Sequence, residues 1–335
     1  MVILQQPESF CFSSALKDVI IQSDGNINVS FSIQGQQPFL LETYSPDSEG
    51  RIYIRELGKL FIPYISKISL RETFVIGITG SGTGSITTTV LYGLTAISET
   101  AANFLSGSFL TLLNGEKITF PQQKEYLSLV VSEATTATVR ASRQSGETES
   151  KTITINDLNQ TVTIDVSPAV FDNPETIAYY TVSAGVRAFT YYLRRPSAPA
   201  PHFLFLNSFG VKETFIPYGL SLRENKYENQ FGFFNGLYRK YAVDLVKEYK
   251  VNTGILREET ADWIEELFAT RDVFLLTSAE EKQEITIMEA TVKRSSARDA
   301  LPAYEFKYRL SDSNQMEYNT IENRIFDDTY DYTFN

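Results

Sequence analysis

The chain has 335 residues, a length that fits two or three domains, and its 42% hydrophobic and 21% charged residues suit a globular protein with a buried core. Its net charge of −11 argues against a nucleic-acid partner, which requires lysine and arginine concentrated on one face. No long uninterrupted apolar window and no secretory leader are present in the sequence, so we expect no membrane span and synthesis in a cytoplasm. Cys11 is the only cysteine, which excludes an internal disulfide.

Residues that carry enzymatic chemistry are scarce. The only histidine is His202, in a linker-like setting where an ordinary polar residue is the favoured interpretation. A catalytic triad or a histidine metal cluster would have to include it. Cys11 lies between Phe10 and Phe12, as a small buried hydrophobe would. The carboxylates are dispersed, so we expect no enzyme, no catalytic residue, no cofactor and no metal site.

Two stretches resemble ligand loops but are better explained as turns. FVIGITGSGTGSITTTVLYG (74–93) has a glycine-rich loop after an apolar run, but a β-branched run follows and a phosphate loop would open a helix. We expect a hairpin there. YSPDSEGRIYI (44–54) lacks the twelve-residue calcium pattern, so a Pro-Asp turn between two strands is expected.

The remaining elements of residues 1–195 are predicted mostly as strands. INVSFSI (27–33) alternates strictly, which predicts a half-buried antiparallel strand. RELGKLFIPYI (55–65) predicts one or two helical turns before Pro63, and SETAANFLSG (98–107) a short helix. Asn114-Gly115 lies between apolar runs in FLTLLNGEKITF (109–120) and predicts a hairpin. Short strands with turns between them then continue to residue 193, a spacing typical of a sandwich or barrel.

RRPSAPAPH (194–202) predicts a linker, because its prolines resist both helix and sheet. A weaker boundary is expected near residues 65–72. We therefore predict an N-terminal β segment with a short helix (1–70), a β-sandwich-like domain (71–195) and a C-terminal β domain (196–335) with a helix at 257–269. Whether residues 1–195 form one domain or two stays open.

The C-terminal part opens with the aromatic stretch FLFLNSFGVKETFIPYG (203–219), which predicts a hairpin whose rings form either a core, the favoured alternative, or a subunit interface. LREETADWIEELFAT (256–270) has acids in its first turn and an apolar stripe, which predicts a helix. Several long antiparallel strands surround it in the sequence. The tail ENRIFDDTYDYTFN (322–335) is either a frayed end or an arm that adds to a neighbour's sheet. The candidate interface residues are Phe205, Phe209, Phe215, Tyr218, Tyr330, Tyr332 and Phe334.

Several phrases resemble structural proteins from the tail region of phages and prophages of Bacteroidetes bacteria. They are FLFLNSFGVKETF, YKVNTGILREETADWIEELFATRDVFLL, AYEFKYRLSDSN, ETYSPDSEGRIYIRELGKL and ANFLSGSFLTLLNGEKI. The resemblance implies virion location, multiple copies and no catalysis. By fold analogy alone, a sheet pair with one flanking helix is similar to the tail-tube and distal-tail fold, whose copies close into rings.

We therefore expect a mainly β, non-enzymatic virion protein of the tail, tail tip or baseplate. Its expected partners are further copies of itself, other phage structural proteins and, for receptor binding, a host surface glycan. The alternative is a carbohydrate-binding or adhesin-like β module, which could lie within residues 70–195; its weakness is that the only tryptophan, Trp263, lies on a helix. A tail-associated glycosidase ranks third.

Overall fold

The computed structural model of the chain describes residues 1–95, 99–195, 199–277, 282–292 and 301–311. These residues form several sheets, most of them antiparallel, with three α-helices. The mainly β fold class is thereby confirmed. No helix in the described ranges is long and apolar enough to cross a membrane.

The first 91 residues form two small sheets around one core. Their elements are β1 (Val2–Gln5), β2 (Phe10–Phe12), β3 (Val19–Gln22), β4 (Ile27–Ile33), β5 (Leu40–Tyr44), β6 (Arg51–Ile54), helix α1 (Leu57–Phe61), β7 (Arg71–Thr79) and β8 (Thr83–Leu91). One sheet has the order β1-β3-β6 and the other β2-β8-β7-β4-β5. Because β4 pairs with β7, the predicted boundary at residue 70 falls inside one sheet. Residues 1–70 therefore share their core with the hairpin that follows.

The local structure of this part agrees with the sequence predictions. β4 buries Ile27, Val29 and Phe31 on its core face, and β7–β8 is the expected glycine-loop hairpin. In the turn between β5 and β6, Asp47 Oδ1 accepts hydrogen bonds from the backbone N–H groups of Glu49 and Arg51, both at 2.8 Å. That side-chain-to-backbone pattern is a turn stabilised by aspartate, not a calcium loop.

The central part contains a five-stranded sheet and a two-stranded sheet. Its elements are α2 (Ala101–Gly107), β9 (Glu116–Thr119), β10 (Tyr126–Val130), β11 (Thr135–Arg143), β12 (Thr148–Ile155), β13 (Thr161–Asp165), β14 (Ile177–Ala184) and β15 (Arg187–Leu193). The larger sheet has the order β12-β11-β14-β15-β9, and β10 pairs with β13. The hairpin predicted at Asn114-Gly115 is wrong. Residues 109–113 form no strand, and Phe109, Leu110 and Leu113 of this segment are buried in the core. β9 pairs in parallel with β15.

The C-terminal part is one seven-stranded antiparallel sheet with a single flanking helix. Its elements are β16 (Phe203–Leu206), β17 (Lys212–Phe215), β18 (Ser221–Phe234), β19 (Leu237–Asn252), α3 (Glu258–Ala269), β20 (Val273–Leu276), β21 (Lys282–Thr291) and β22 (Glu305–Leu310). The strand order is β17-β16-β20-β21-β22-β19-β18, so β18 lies at an edge. Helix α3 buries Ala261, Trp263, Ile264 and Leu267, which confirms its predicted apolar stripe.

The central and C-terminal sheets are separate sheets with a common core. The predicted boundary at residues 195 and 196 falls between them, yet one hydrophobic cluster contains residues of both. A buried polar contact also joins them, because Lys117 Nζ on β9 donates to the Thr214 carbonyl on β17 at 2.6 Å. The part of the chain from β9 to β22 is therefore held together by packing across the predicted linker.

Candidate functional site

Three of the candidate interface residues lie in the core. Phe205, Phe209 and Phe215 are each no more than 1% exposed. The rings of Phe205 and Phe215 lie 5.6 and 6.1 Å from that of Trp263. Side chains buried to this extent cannot reach a neighbouring subunit without opening the core. The hairpin β16–β17 is therefore part of the subunit interior, the alternative that the sequence favoured.

The other four candidates are divided between the core edge and the chain end. Tyr218 is partly buried, and its ring lies 5.8 Å from Phe120 and 6.2 Å from Phe215. Tyr330, Tyr332 and Phe334 lie outside the described residues.

The residues weighed for chemistry or sugar binding are also interior ones. Burial lowers the pKa of His202 to about 4, so its imidazole is neutral at pH 7. Burial raises the pKa of the Cys11 thiol, which keeps it protonated. Trp263 is buried and cannot act as an exposed sugar platform. Within the described ranges no group of three or more His, Cys, Asp or Glu residues is placed to hold a metal ion.

The most exposed large feature is the hairpin β18–β19, which we call the arm. Its strands pair from Ser221–Val251 to Phe234–Leu237, with one bulge next to Phe231. Asn235 and Gly236 form the turn, with φ of 50° and 78°, the left-handed conformation that a tight hairpin turn requires. The sequence analysis did not find β18, and the Asn-Gly pair in FGFFNGLYRK was the signal that would have found it.

The arm extends well beyond the rest of its sheet. β19 pairs with β22 only over Tyr249–Asn252. From there to the turn, no third strand is present among the described residues, and at roughly 3.3 Å per residue the free ribbon is about 40 Å long. Isolated two-stranded hairpins are marginally stable in water, so a ribbon of this length needs further support.

One face of the arm continues the core face of the sheet. At the root, Val251 is buried and the ring of Tyr249 stacks on that of Tyr308 at 4.9 Å. Side chains of a strand alternate between faces, and directly paired residues share a face. Further along this core-side face the register places large and charged side chains. They include Arg223, Tyr227, Phe231, Phe233, Tyr238, Lys240, Leu245 and Lys247.

The core-side face is aromatic and positively charged. Its four rings, those of Tyr227, Phe231, Phe233 and Tyr238, are between 51% and 77% exposed. Phe233 and Tyr238 form a cross-strand pair with ring centroids 5.6 Å apart. This face carries the positive charges of Arg223, Lys240 and Lys247. The register places no acidic residue on it. Large exposed aromatic surfaces with a polar surround are typical of interaction sites.

The acids of the arm lie on the opposite, outer face, which carries Glu224, Glu228 and Glu248. Lys226 Nζ lies 2.5 Å from Glu248 Oε2, and Arg309 of β22 donates to Glu248 Oε1. The hydrogen bonds from Arg309 and Lys226 lower the pKa of Glu248 to about 2. This ion cluster ties the root of the arm to β22, so the arm is amphipathic and anchored at its base.

The arrangement has the properties of a binding element: a firm root, a long free ribbon, and an aromatic face that the described parts of the subunit leave uncovered. Comparison of the sequence with protein-family models gives no match, and comparison with curated proteins gives no significant match.

Proposed function

We propose that the protein is a non-enzymatic structural protein of a phage virion, a tail, tail-tip or baseplate component whose copies assemble into a ring through the arm. The observation that carries this proposal is the exposed aromatic core-side face of the β18–β19 hairpin. A ribbon that is marginal alone gains stability when a partner covers that face. The resemblance to tail-region proteins supports the phage context.

Ring assembly follows from the polarity of the contact. The arm leaves the body at one end of the seven-stranded sheet, and in this proposal its aromatic face packs on the body of a neighbour and not on a second arm. A contact between two different surfaces is heterologous, and its repetition closes into a ring if the rotation permits. Among the described residues β18 pairs only with β19, so its other edge offers backbone groups that suit strand addition by a neighbour.

The interior chemistry supports a structural role in preference to catalysis. A neutral, half-buried His202 and a protonated, buried Cys11 are suited to packing. The acidic balance of the chain suits protein partners, here other copies and other phage structural proteins, better than DNA.

Shortening the arm tests the proposal. The variant removes residues 227–234 and 237–245, which joins the paired residues Lys226 and Val246 through the original Asn235-Gly236 turn. We expect the wild-type chain to form a discrete ring by light scattering and negative-stain microscopy, and the shortened chain to stay monomeric with the same fluorescence emission maximum of the buried Trp263. A shortened variant that still forms the ring would contradict the role of the arm.

A carbohydrate-binding role is the second candidate, and one observation favours it. Tyr179 on β14 and Tyr192 on β15 form an exposed cross-strand pair with ring centroids 6.1 Å apart. The same outer face carries the hydroxyls of Thr181 and Thr190, which lie 3.1 Å apart. If this face binds a host glycan, the variants Tyr179→Ala and Tyr192→Ala should lose glycan binding while the arm variant keeps it. Glycan arrays probed with the three variants give the answer.

A further inference from the structure

A second exposed surface lies where helix α3 begins, and we call it the helix-start patch: Ile255, Glu258, Glu259 and Leu301. Ile255 and Leu301 are 66% and 65% exposed. Their segments run side by side, because the Leu256 N–H donates to the Pro302 carbonyl at 2.8 Å. Glu258 and Glu259 are exposed in the first turn of α3. The patch thus combines exposed aliphatic side chains with two carboxylates.

The patch and the arm's core-side face are complementary in charge and in apolar character. The outer half of the arm presents the rings of Phe231, Phe233 and Tyr238 with Lys240, and the patch presents aliphatic groups with carboxylates. Complementary charge fixes register and partner choice at an interface, and apolar contact supplies the buried centre. Two chains of net charge −11 repel each other at long range, so a local match of this kind is what a self-association contact requires.

The patch cannot be covered by the arm of its own chain. β19 ends at Asn252, only three residues before Ile255, so the patch lies at the root of the arm. Tyr238 is fourteen residues from Asn252 along the same strand, which is about 45 Å at roughly 3.3 Å per residue. An extended ribbon cannot fold back over that distance onto its own root. Contact between the outer half of the arm and the patch therefore requires a second copy.

We propose that the core-side face of the arm docks on the helix-start patch of a neighbouring copy. The inference rests on the proposed assembly function and names the partner surface of the same arm. It makes the contact heterologous, since each copy gives an arm on one side and a patch on the other.

Charge exchange between the two surfaces tests the inference. The arm variant Lys240→Glu and the patch variant Glu258→Lys/Glu259→Lys should each weaken assembly about tenfold or more, because like charges then meet. The chain with all three substitutions, and a mixture of the arm variant and the patch variant, should each regain assembly. The matched control is Arg239→Glu, which makes the same charge change one residue away on the outer face and should leave assembly unchanged. Sedimentation velocity gives the association constants.

The outcomes separate this inference from the proposed function. If the arm variant fails to assemble while the patch variant and Ile255→Ser both assemble normally, the arm acts on another surface and the inference is overturned alone. If truncation after Ser311 abolishes assembly, and the charge-exchange variants of the full chain never regain it, the segment beyond Ser311 is what binds the arm. The inference is then also wrong. A wild-type chain that stays monomeric at every concentration overturns both. Circular dichroism of each variant confirms that the fold is kept.

Discussion

At the scale of single residues, Trp263 connects helix α3 to the sheet beneath it. Its ring packs against Phe205 and Phe215, and Lys117 Nζ lies 5.1 Å above the ring centroid. Its indole N–H donates to the Glu213 carboxyl group. One side chain therefore contributes apolar packing, a cation–π contact and a buried hydrogen bond to the same junction.

Trp263→Ala should destabilise the protein by about 3–5 kcal/mol, the usual cost of emptying a large aromatic site in a core. The matched control is Tyr238→Ala, which removes a ring that is exposed on the arm and should change the free energy of unfolding by less than about 0.5 kcal/mol. Chemical denaturation of both variants measures the difference. Equal, small losses would mean that Trp263 does not hold the helix.

Glu213 is a second residue whose effect can be measured, through the pH dependence of the free energy of unfolding. Burial, with the nearby Glu266 carboxylate, raises its pKa to about 8. The folded protein then keeps a proton that the unfolded chain releases above its ordinary pKa near 4.5. Stability should therefore fall as pH rises from about 4.5 to 8, by about 1.4 kcal/mol for each unit of the shift.

Glu213→Gln should remove that slope, because a neutral amide has no proton to lose. The unfolding free energy of the variant, minus that of the wild type, should rise by a few kcal/mol between pH 5 and 8. His202 has its pKa shifted downward and titrates in both proteins, so its contribution cancels in the difference. Parallel stability curves for the two proteins would show that Glu213 is ionised in the folded state.

At the scale of elements, local sequence rules succeed where burial is one-sided. β4 alternates because one of its faces is core, and α3 has a stripe because one of its sides is core. Both could be predicted, since a pattern in the sequence reflects the surface that each element buries. Their packing partners, such as β7 against β4, are distant in sequence and have no local signature.

Two elements show why the rest could not be predicted. β9 pairs with β15, more than seventy residues away, so Asn114-Gly115 marks a turn without a hairpin. β18 reads Arg-Glu-Asn-Lys-Tyr-Glu-Asn, with little apolar alternation, because neither of its faces is covered by the described parts of the subunit. Three of the candidate interface residues of the sequence analysis were therefore placed on buried rings, and the exposed rings of the arm were missed.

The turn of the arm offers a test at this scale. Gly236 has φ of 78°, and an added methyl group would meet no atom within 4 Å, so Gly236→Ala costs only conformational strain, about 1–2 kcal/mol. We expect amide exchange in the arm to quicken about five- to thirtyfold while the global unfolding free energy stays unchanged. Gly82→Ala, also in an open hairpin turn but without positive φ, is the control. A lowered global stability would show that the arm belongs to the core folding unit.

At the scale of the whole molecule, the arm makes the two edges of the seven-stranded sheet different. The sheets from β9 to β22 share one core, and the arm leaves that body at the edge opposite β17. In the proposed assembly the packing of the body needs no partner, whereas the arm does. Folding and assembly are thus assigned to different surfaces, so variants of the arm can lose assembly without losing the fold.

This separation predicts how the shortened-arm variant acts in mixtures with the wild type. A copy without the arm still offers its own surface to a neighbour's arm but cannot contact the next copy, so each one incorporated ends a growing chain. Ring yield should therefore fall more steeply than the wild-type fraction, and short open oligomers should accumulate. Native mass spectrometry of a titration series measures both species. If the contact were instead between two identical surfaces, the shortened copies would be left out and the yield would only follow the fraction of wild-type pairs, without open oligomers.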